Sequence, residues 1–272
     1  MHGQITQIRS ASKEAGSRPT LCFLPGGPGL SSAVLRSMDL LSRSFHIAYI
    51  DPPGTGGTPE LTDPTLEAMI SSLTELLESL RSPLILCGHS FGALYAAELS
   101  RVRHLDLRGL VFLAPAFFPK TMQAAAEAFR VEKPAELKNA ELRWKKEKSN
   151  EAFKQWLGAY GPFFFLKHNE KALRQIIEND AVSANTFLKV RHNWKLDISF
   201  WEYLRSLKLP KLVITGKEDR LYHSNVIEAE AKEIGCEFIE IKNAGHFLTF
   251  DQPQAVAEVI ETKWATGATE KR

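Results

Sequence analysis

The stretch Leu84-Ile85-Leu86-Cys87-Gly88-His89-Ser90-Phe91-Gly92 runs from four apolar residues into a serine framed by two glycines. An apolar run without polar alternation predicts a strand covered on both faces, as in a parallel sheet, and a helix is predicted from Phe91 to about Arg101. A serine at a strand-to-helix turn is forced into a tight bend, and only small residues two positions to either side let the backbones approach that closely. Gly88 and Gly92 meet that requirement. The bend lifts the Ser90 hydroxyl above the sheet, while the start of the next helix aims backbone N–H groups at any negative charge developing there.

Working outward, similar short runs recur at Thr20–Leu24, Phe45–Ile50, Leu110–Leu113, Leu212–Thr215 and Phe238–Ile241, each ending near Gly, Pro or Asp. Between them lie helical patterns, clearest from Leu66 to Leu80, where Leu66, Met69, Ile70, Leu73, Leu76, Leu77 and Leu80 form one apolar stripe. Further helices are expected at Ser32–Ser42, at Ser224–Ile234 and after Pro253, with at most one or two short strands before Thr20, around Ile5–Arg9. Strand and helix in alternation predict an α/β fold with a mostly parallel, doubly wound sheet. Between Ala114 and Pro210 the alternation stops, and this third of the chain holds 15 of the 26 aromatic residues, among them Trp144, Trp156, Trp194 and Trp201. The expected organisation is a core of residues 1–114 and 210–272 with an inserted helical cap of residues 115–209 over the carboxyl edge of the sheet. An ordinary helical layer, its aromatics merely its own core, is the alternative.

A serine hydroxyl is a poor nucleophile until a base removes its proton, so the reading requires a histidine and an acid to orient it. Val213-Ile214-Thr215-Gly216-Lys217-Glu218-Asp219 runs from strand into turn and puts Asp219 at the carboxyl edge, with Glu218 its nearest competitor. Ile241-Lys242-Asn243-Ala244-Gly245-His246 repeats the pattern and places His246 between the last strand and the last helix. His223 is the rival base, without a preceding glycine turn. The order Ser90, Asp219, His246 is that of one class of nucleophilic triad. Leu24-Pro25-Gly26-Gly27-Pro28-Gly29 supplies the second side of an oxyanion hole, with the Gly27 and Phe91 N–H groups as donors, because prolines cannot donate. No Gly-Lys-Ser/Thr follows that loop, which argues against a phosphate loop. Asp51, on a loop dense in Gly and Pro, reads as a turn organiser. Without HExxH, CxxC or a carboxylate–histidine cluster the sequence offers no metal site, and no cofactor is implied.

Composition narrows the partners. With 34 Lys plus Arg against 32 Asp plus Glu, a formal charge of +2 gives no footprint for nucleic acid. Cys22, Cys87 and Cys236 are odd in number and embedded in or beside apolar runs, as buried thiols in a reducing compartment would be. No apolar secretory core appears in the first twenty residues, and no run approaches the roughly 20 residues that span a bilayer. A cytoplasmic protein with a small-molecule acyl substrate and no membrane span is expected.

Taken in order, the PGGPG, DPPGTGGT, GHSFG, GKED and NAGHF segments resemble the α/β-hydrolase fold superfamily, in the branch with a helical cap after the sixth strand. The resemblance covers nearly the whole chain and implies a serine hydrolase working through an acyl-enzyme, carboxylesterase-like. Gly26-Gly27-Pro28-Gly29 is also similar to the HGGPG loop of prolyl iminopeptidases, although Pro25 stands where those have His, Pro52-Pro53 where they have Gln-Arg, and His89 and Phe91 where they have Gly and Trp. A small carboxylic ester is therefore the expected substrate, a prolyl-type aminopeptidase the alternative, and a ligand-binding protein on a hydrolase scaffold the alternative from another class. Phe91 and, in the cap, Phe163, Phe164 and Phe165 are the candidate walls of the acyl site.

Overall fold

A computed structural model describes residues 4–9, 18–80, 83–167, 169–178, 182–193 and 196–265. Trp194 lies outside them. The strands are β1 (Gln4–Arg9), β2 (Thr20–Leu24), β3 (His46–Asp51), β4 (Leu84–His89), β5 (Leu107–Leu113), β6 (Lys211–Gly216) and β7 (Glu237–Ile241). They form one sheet in the order β1-β3-β2-β4-β5-β6-β7, parallel throughout except for β1, which pairs antiparallel to β3.

The two-residue period of a strand sends its side chains alternately to two cores. Ile85 and Cys87 enter one cluster with Val34, Leu35 and Met38 of a 3-10 segment (Ser32–Arg43) and with Val256 and Ile260. Leu84 and Leu86 enter the other, with Leu73 and Leu77 of α1 (Leu66–Glu78) and Leu94 of α2 (Gly92–Leu99). Every residue of β2, β4 and β6 is buried, which is why their sequences carry no polar alternation. The segment expected as a helix at Ser32–Ser42 has tighter 3-10 geometry, begun by Ser31, whose hydroxyl accepts from Ala33 N at 3.3 Å. Asp51 Oδ1 accepts from Ser32 N at 2.7 Å, and Thr58 Oγ1 donates to Asp51 O at 3.2 Å, so this residue ties two loops together.

Between β5 and β6 the chain is helical: α3 (Pro119–Glu132), α4 (Ala135–Glu147), α5 (Asn150–Ala159), α6 (Gly161–Phe164), α7 (Glu170–Glu178), α8 (Ala184–Asn193) and α9 (Ile198–Ser206). Helix α9 packs on the sheet layer, since Phe200 and Leu204 join the cluster of α1 and α2 and the Tyr203 hydroxyl donates to Ser100 O. After β6 come α10 (Ser224–Glu233), a single turn α11 (Leu248–Asp251) and α12 (Pro253–Trp264). Among the described residues no helix is long and apolar enough to cross a membrane.

From β2 the chain steps to β3 on one side, and it returns through α1 to β4 on the other. Strand order therefore reverses between β2 and β4. In open α/β sheets the crevice at the carboxyl ends beside such a reversal is the favoured place for a ligand.

Candidate active site

Ser90 stands at that reversal. Its φ of 53° is left-handed, a conformation costing a non-glycine residue roughly 1–3 kcal/mol. The surroundings fix it: Ser90 N donates to Leu113 O at 2.8 Å, and Ser90 O accepts from Ala93 N and Ala116 N, both at 3.1 Å. The flanking glycines are required by close approach. A Cβ on Gly88 would lie 2.2 Å from Gly92 O, and one on Gly92 would lie 2.2 Å from Leu24 O. The loop after β2 crosses the serine directly, because a Cβ on Gly26 would sit 2.8 Å from Ser90 Cβ.

Asp219 and His246 arrive from the ends of β6 and β7. The imidazole Nδ1 of His246 donates to Asp219 Oδ2 at 2.9 Å, and both side chains are almost fully buried. Asp219 Oδ1 accepts from Leu221 N at 2.8 Å and Tyr222 N at 3.0 Å, so both carboxylate oxygens are committed. The competitors do other work. Glu218 accepts from Ala244 N at 3.1 Å and braces the histidine loop, while His223 is exposed at the start of α10.

Ser90 and His246 open into one cavity of about 940 Å³ between the carboxyl edge and the helices α3, α4, α5, α6 and α8. Gly26 and Gly27 form part of its floor, and Trp144, Trp156, Tyr160, Phe164 and Phe187 part of its walls. Of the expected acyl-site aromatics, Phe164 lines the cavity, 6.4 Å from the His246 ring between centroids. Phe165 instead stacks on Phe247 at 5.6 Å, and Phe163 lies under the Arg220 guanidinium at 5.1 Å. The Phe91 side chain is fully buried, edge-on to Tyr95 at 5.3 Å, because its helical phase turns the ring into the core beneath α2.

Several residues at the site carried no sequence signal strong enough to name them. His89, beside the nucleophile position, donates from Nε2 to His246 O at 3.0 Å and so ties the elbow to the histidine loop. Burial, reinforced by the neighbouring His246 ring, lowers its pKa to about 3 despite that hydrogen bond, so His89 is neutral. Asp251 Oδ2 accepts from Gly245 N at 2.8 Å and Leu166 N at 2.9 Å, joining the histidine loop to the segment after α6. Tyr222 meets the His246 ring edge-on at 5.2 Å. A signal that could have found part of the cavity wall lies along α5 and its C-cap, where Phe153, Trp156, Leu157 and Tyr160 recur at helical spacing. Among the described residues no group of three or more His, Cys, Asp or Glu side chains is arranged to hold a metal ion.

Comparison with known proteins agrees with this architecture. A proline iminopeptidase-related protein of Thermus thermophilus superposes with a TM-score of 0.71 and 26% identity, covering 98% of both chains. An esterase from Exiguobacterium antarcticum gives the same TM-score at 19% identity, covering 92% of this chain and 93% of the other, and it speaks for the fold. In sequence, a monoacylglycerol lipase of Mus musculus is 23% identical over 90% of this chain and 75% of its own length. A probable 1-acylglycerol-3-phosphate O-acyltransferase of Oryza sativa subsp. japonica is 25% identical over 89% of this chain, which spans only 66% of that relative's length. The model of the alpha/beta hydrolase family matches residues 23–259, and the chain belongs to that family.

Proposed function

We propose that this hydrolase is a serine esterase acting through an acyl-enzyme on a small, partly apolar carboxylic ester. Ser90 Oγ attacks the ester carbonyl while His246 Nε2 takes its proton, and the oxyanion forms against the Gly27 and Phe91 N–H groups. Asp219 holds the Nδ1 proton and stabilises the imidazolium. Collapse of the tetrahedral adduct breaks the carbonyl–alkoxy bond, and the leaving alcohol carries away the proton from Nε2. Water then repeats the sequence on the acyl-enzyme, returning Ser90 as the free hydroxyl and releasing the acid. Residues 115–209 form the cap insertion, of which α3 to α6 and α8 supply the walls of the acyl site, while α9 packs on the sheet layer and α7 gives no wall residue among those described.

The observation that carries this reading is the buried His246–Asp219 hydrogen bond of 2.9 Å at the wall of the cavity that Ser90 enters from a strained turn. A volume of about 940 Å³ with aromatic walls suits a small acyl compound. Among the similar proteins, one is named a monoacylglycerol lipase and one an esterase. Cys22, Cys87 and Cys236 are buried and unpaired, which fits a reducing, cytoplasmic compartment.

The iminopeptidase-related neighbour favours a second reading, an aminopeptidase that would need a cap carboxylate for the substrate amine. Glu141 of α4 is such a carboxylate in the cavity wall. It is already paired with Lys133 and with Lys145 at 2.6 Å, so an incoming ammonium would have to displace two others. Turnover of a short-chain p-nitrophenyl ester beside a prolyl p-nitroanilide, with Ser90→Ala as the blank, separates the two. Ester turnover that disappears in Ser90→Ala is expected. Faster release from the anilide would favour the peptidase, and Ser90→Ala with full activity would end both. Saturable binding without product, unaffected by Ser90→Ala, would point to a non-catalytic binder.

A further inference from the structure

The cavity beside Ser90 is aromatic at its centre but not neutral. Lys133, Lys145, Lys148 and Arg191 line it against one carboxylate, Glu141. Glu141 is satisfied by Lys133 and Lys145; burial works to raise its pKa, yet their hydrogen bonds hold it below the usual range. Two lysines on one carboxylate leave that trio singly positive, and Lys148, exposed at the rim, and Arg191 of α8, half-buried within, add to the excess.

Arg191 sits among aromatic side chains, with Glu141 and Asp219 acting electrostatically on the same two tyrosines that it reaches. Its guanidinium lies 5.7 Å from the Phe187 ring centre and is close enough to Tyr222 and Tyr160 to act on both phenols electrostatically. Tyr222 itself touches the His246 ring. A fixed positive charge thus stands one side chain away from the proposed base. Taking a guanidinium partly out of water is costly unless an anion meets it, and low-dielectric walls sharpen its field. Its planar fork of donors matches carboxylate or phosphate oxygens two at a time. A pocket for a plain hydrocarbon acyl chain has no use for such a group.

We infer that Arg191 binds an anionic group of the substrate, carboxylate or phosphate, so that the preferred substrate is a short acyl ester with a negative charge a few atoms from the scissile carbonyl. Lys148 and the surplus positive charge of the mouth draw that substrate in. This rests on the esterase reading above.

The test compares kcat/KM within two matched pairs: p-nitrophenyl hydrogen glutarate against its methyl ester, and monobutyryl glycerol 3-phosphate against monobutyrin. Wild type, Ser90→Ala, Arg191→Met and Arg191→Lys are assayed at low and high salt. Wild type should favour the anionic member of at least one pair roughly 10- to 100-fold, as a charge-assisted pair allows. The pair showing the preference distinguishes carboxylate from phosphate. The preference should collapse in Arg191→Met, return in part in Arg191→Lys and shrink in high salt. Free glutarate or glycerol 3-phosphate should compete with the neutral ester in wild type, which decides the matter even if Arg191→Met does not fold. Ser90-dependent hydrolysis of the neutral esters with no anionic preference, or a preference that survives Arg191→Met, overturns the inference and leaves the esterase standing. Absence of Ser90-dependent turnover of all four overturns the esterase and this inference with it.

Discussion

Replacing Asp219 with asparagine tests the proposed proton path with almost no change of shape. The carboxylate uses Oδ1 for Leu221 N and Tyr222 N, at 2.8 and 3.0 Å, and Oδ2 for His246 Nδ1 at 2.9 Å. Asparagine has one oxygen to place. Kept at the Oδ1 position, it preserves both backbone hydrogen bonds. Reversed, its NH₂ would face two N–H donors and leave them unsatisfied, at about 1–3 kcal/mol each. The amide therefore presents NH₂ to His246, whose Nδ1 must become the acceptor, and the ring proton moves to Nε2. That is the nitrogen that has to take the proton of Ser90. By analogy with other triads, kcat should fall roughly 10³- to 10⁴-fold, equivalent to about 4–5.5 kcal/mol of barrier, with KM little changed. Steady-state hydrolysis of p-nitrophenyl butyrate, beside a urea unfolding curve for each variant, measures both. A folded Asp219→Asn enzyme that stays within about tenfold of wild type, or that loses no more than Glu218→Gln, would refute the reasoning.

Three further outcomes follow from the geometry. His89 is held neutral by burial, its pKa lowered to about 3. Because the unfolded chain binds this proton near pH 6.5 and the folded one does not, its stabilising contribution is full above about pH 6.5 and drains away toward pH 3, at about 1.4 kcal/mol per pH unit. His89→Asn should flatten that part of a stability-versus-pH curve, and an unchanged slope would contradict the assignment. Glu230 of α10 accepts from Lys120 N and Thr121 N, each at 2.8 Å, and from Thr121 Oγ1 at 2.7 Å. Phe118, at the N-cap just before α3, makes no side-chain cap of its own, so Glu230→Ala strands these donors and should cost about 2–4 kcal/mol in urea unfolding. An Ala at position 92 would bring Cβ to 2.2 Å from Leu24 O and 2.5 Å from Pro25 O, both rigid backbone. Gly92→Ala should lose more than about 4 kcal/mol or fail to fold. Gly57→Ala, with open space but a φ of +84°, should lose only about 1 kcal/mol. Soluble yield and circular dichroism compare the two.

The sheet was legible because β2, β4, β5 and β6 are apolar runs that only a doubly covered strand can carry. The meeting of Asp219 with His246 was legible for a related reason: each follows a glycine-punctuated strand end, and parallel topology brings all such ends to one edge. The side chain of Phe91 was not, because a residue at the start of a helix can point to cavity or core, and only the phase of α2 under its neighbours decides. Glu230, Asp251 and Arg191 were illegible for another reason. Glu230 meets Thr121 across 109 residues, and Asp251 meets Leu166 across 85. Composition and periodicity carry no record of such pairings, and in sequence Arg191 is one more charge on a solvated helix.

The most direct test of the account is covalent. Incubation with a fluorophosphonate, followed by intact mass and peptide mapping, should give a single adduct on Ser90 that is absent in Ser90→Ala and greatly slowed in His246→Ala. A folded wild-type protein that takes up no label, or takes it up elsewhere than Ser90, would contradict the claim that this serine is the nucleophile.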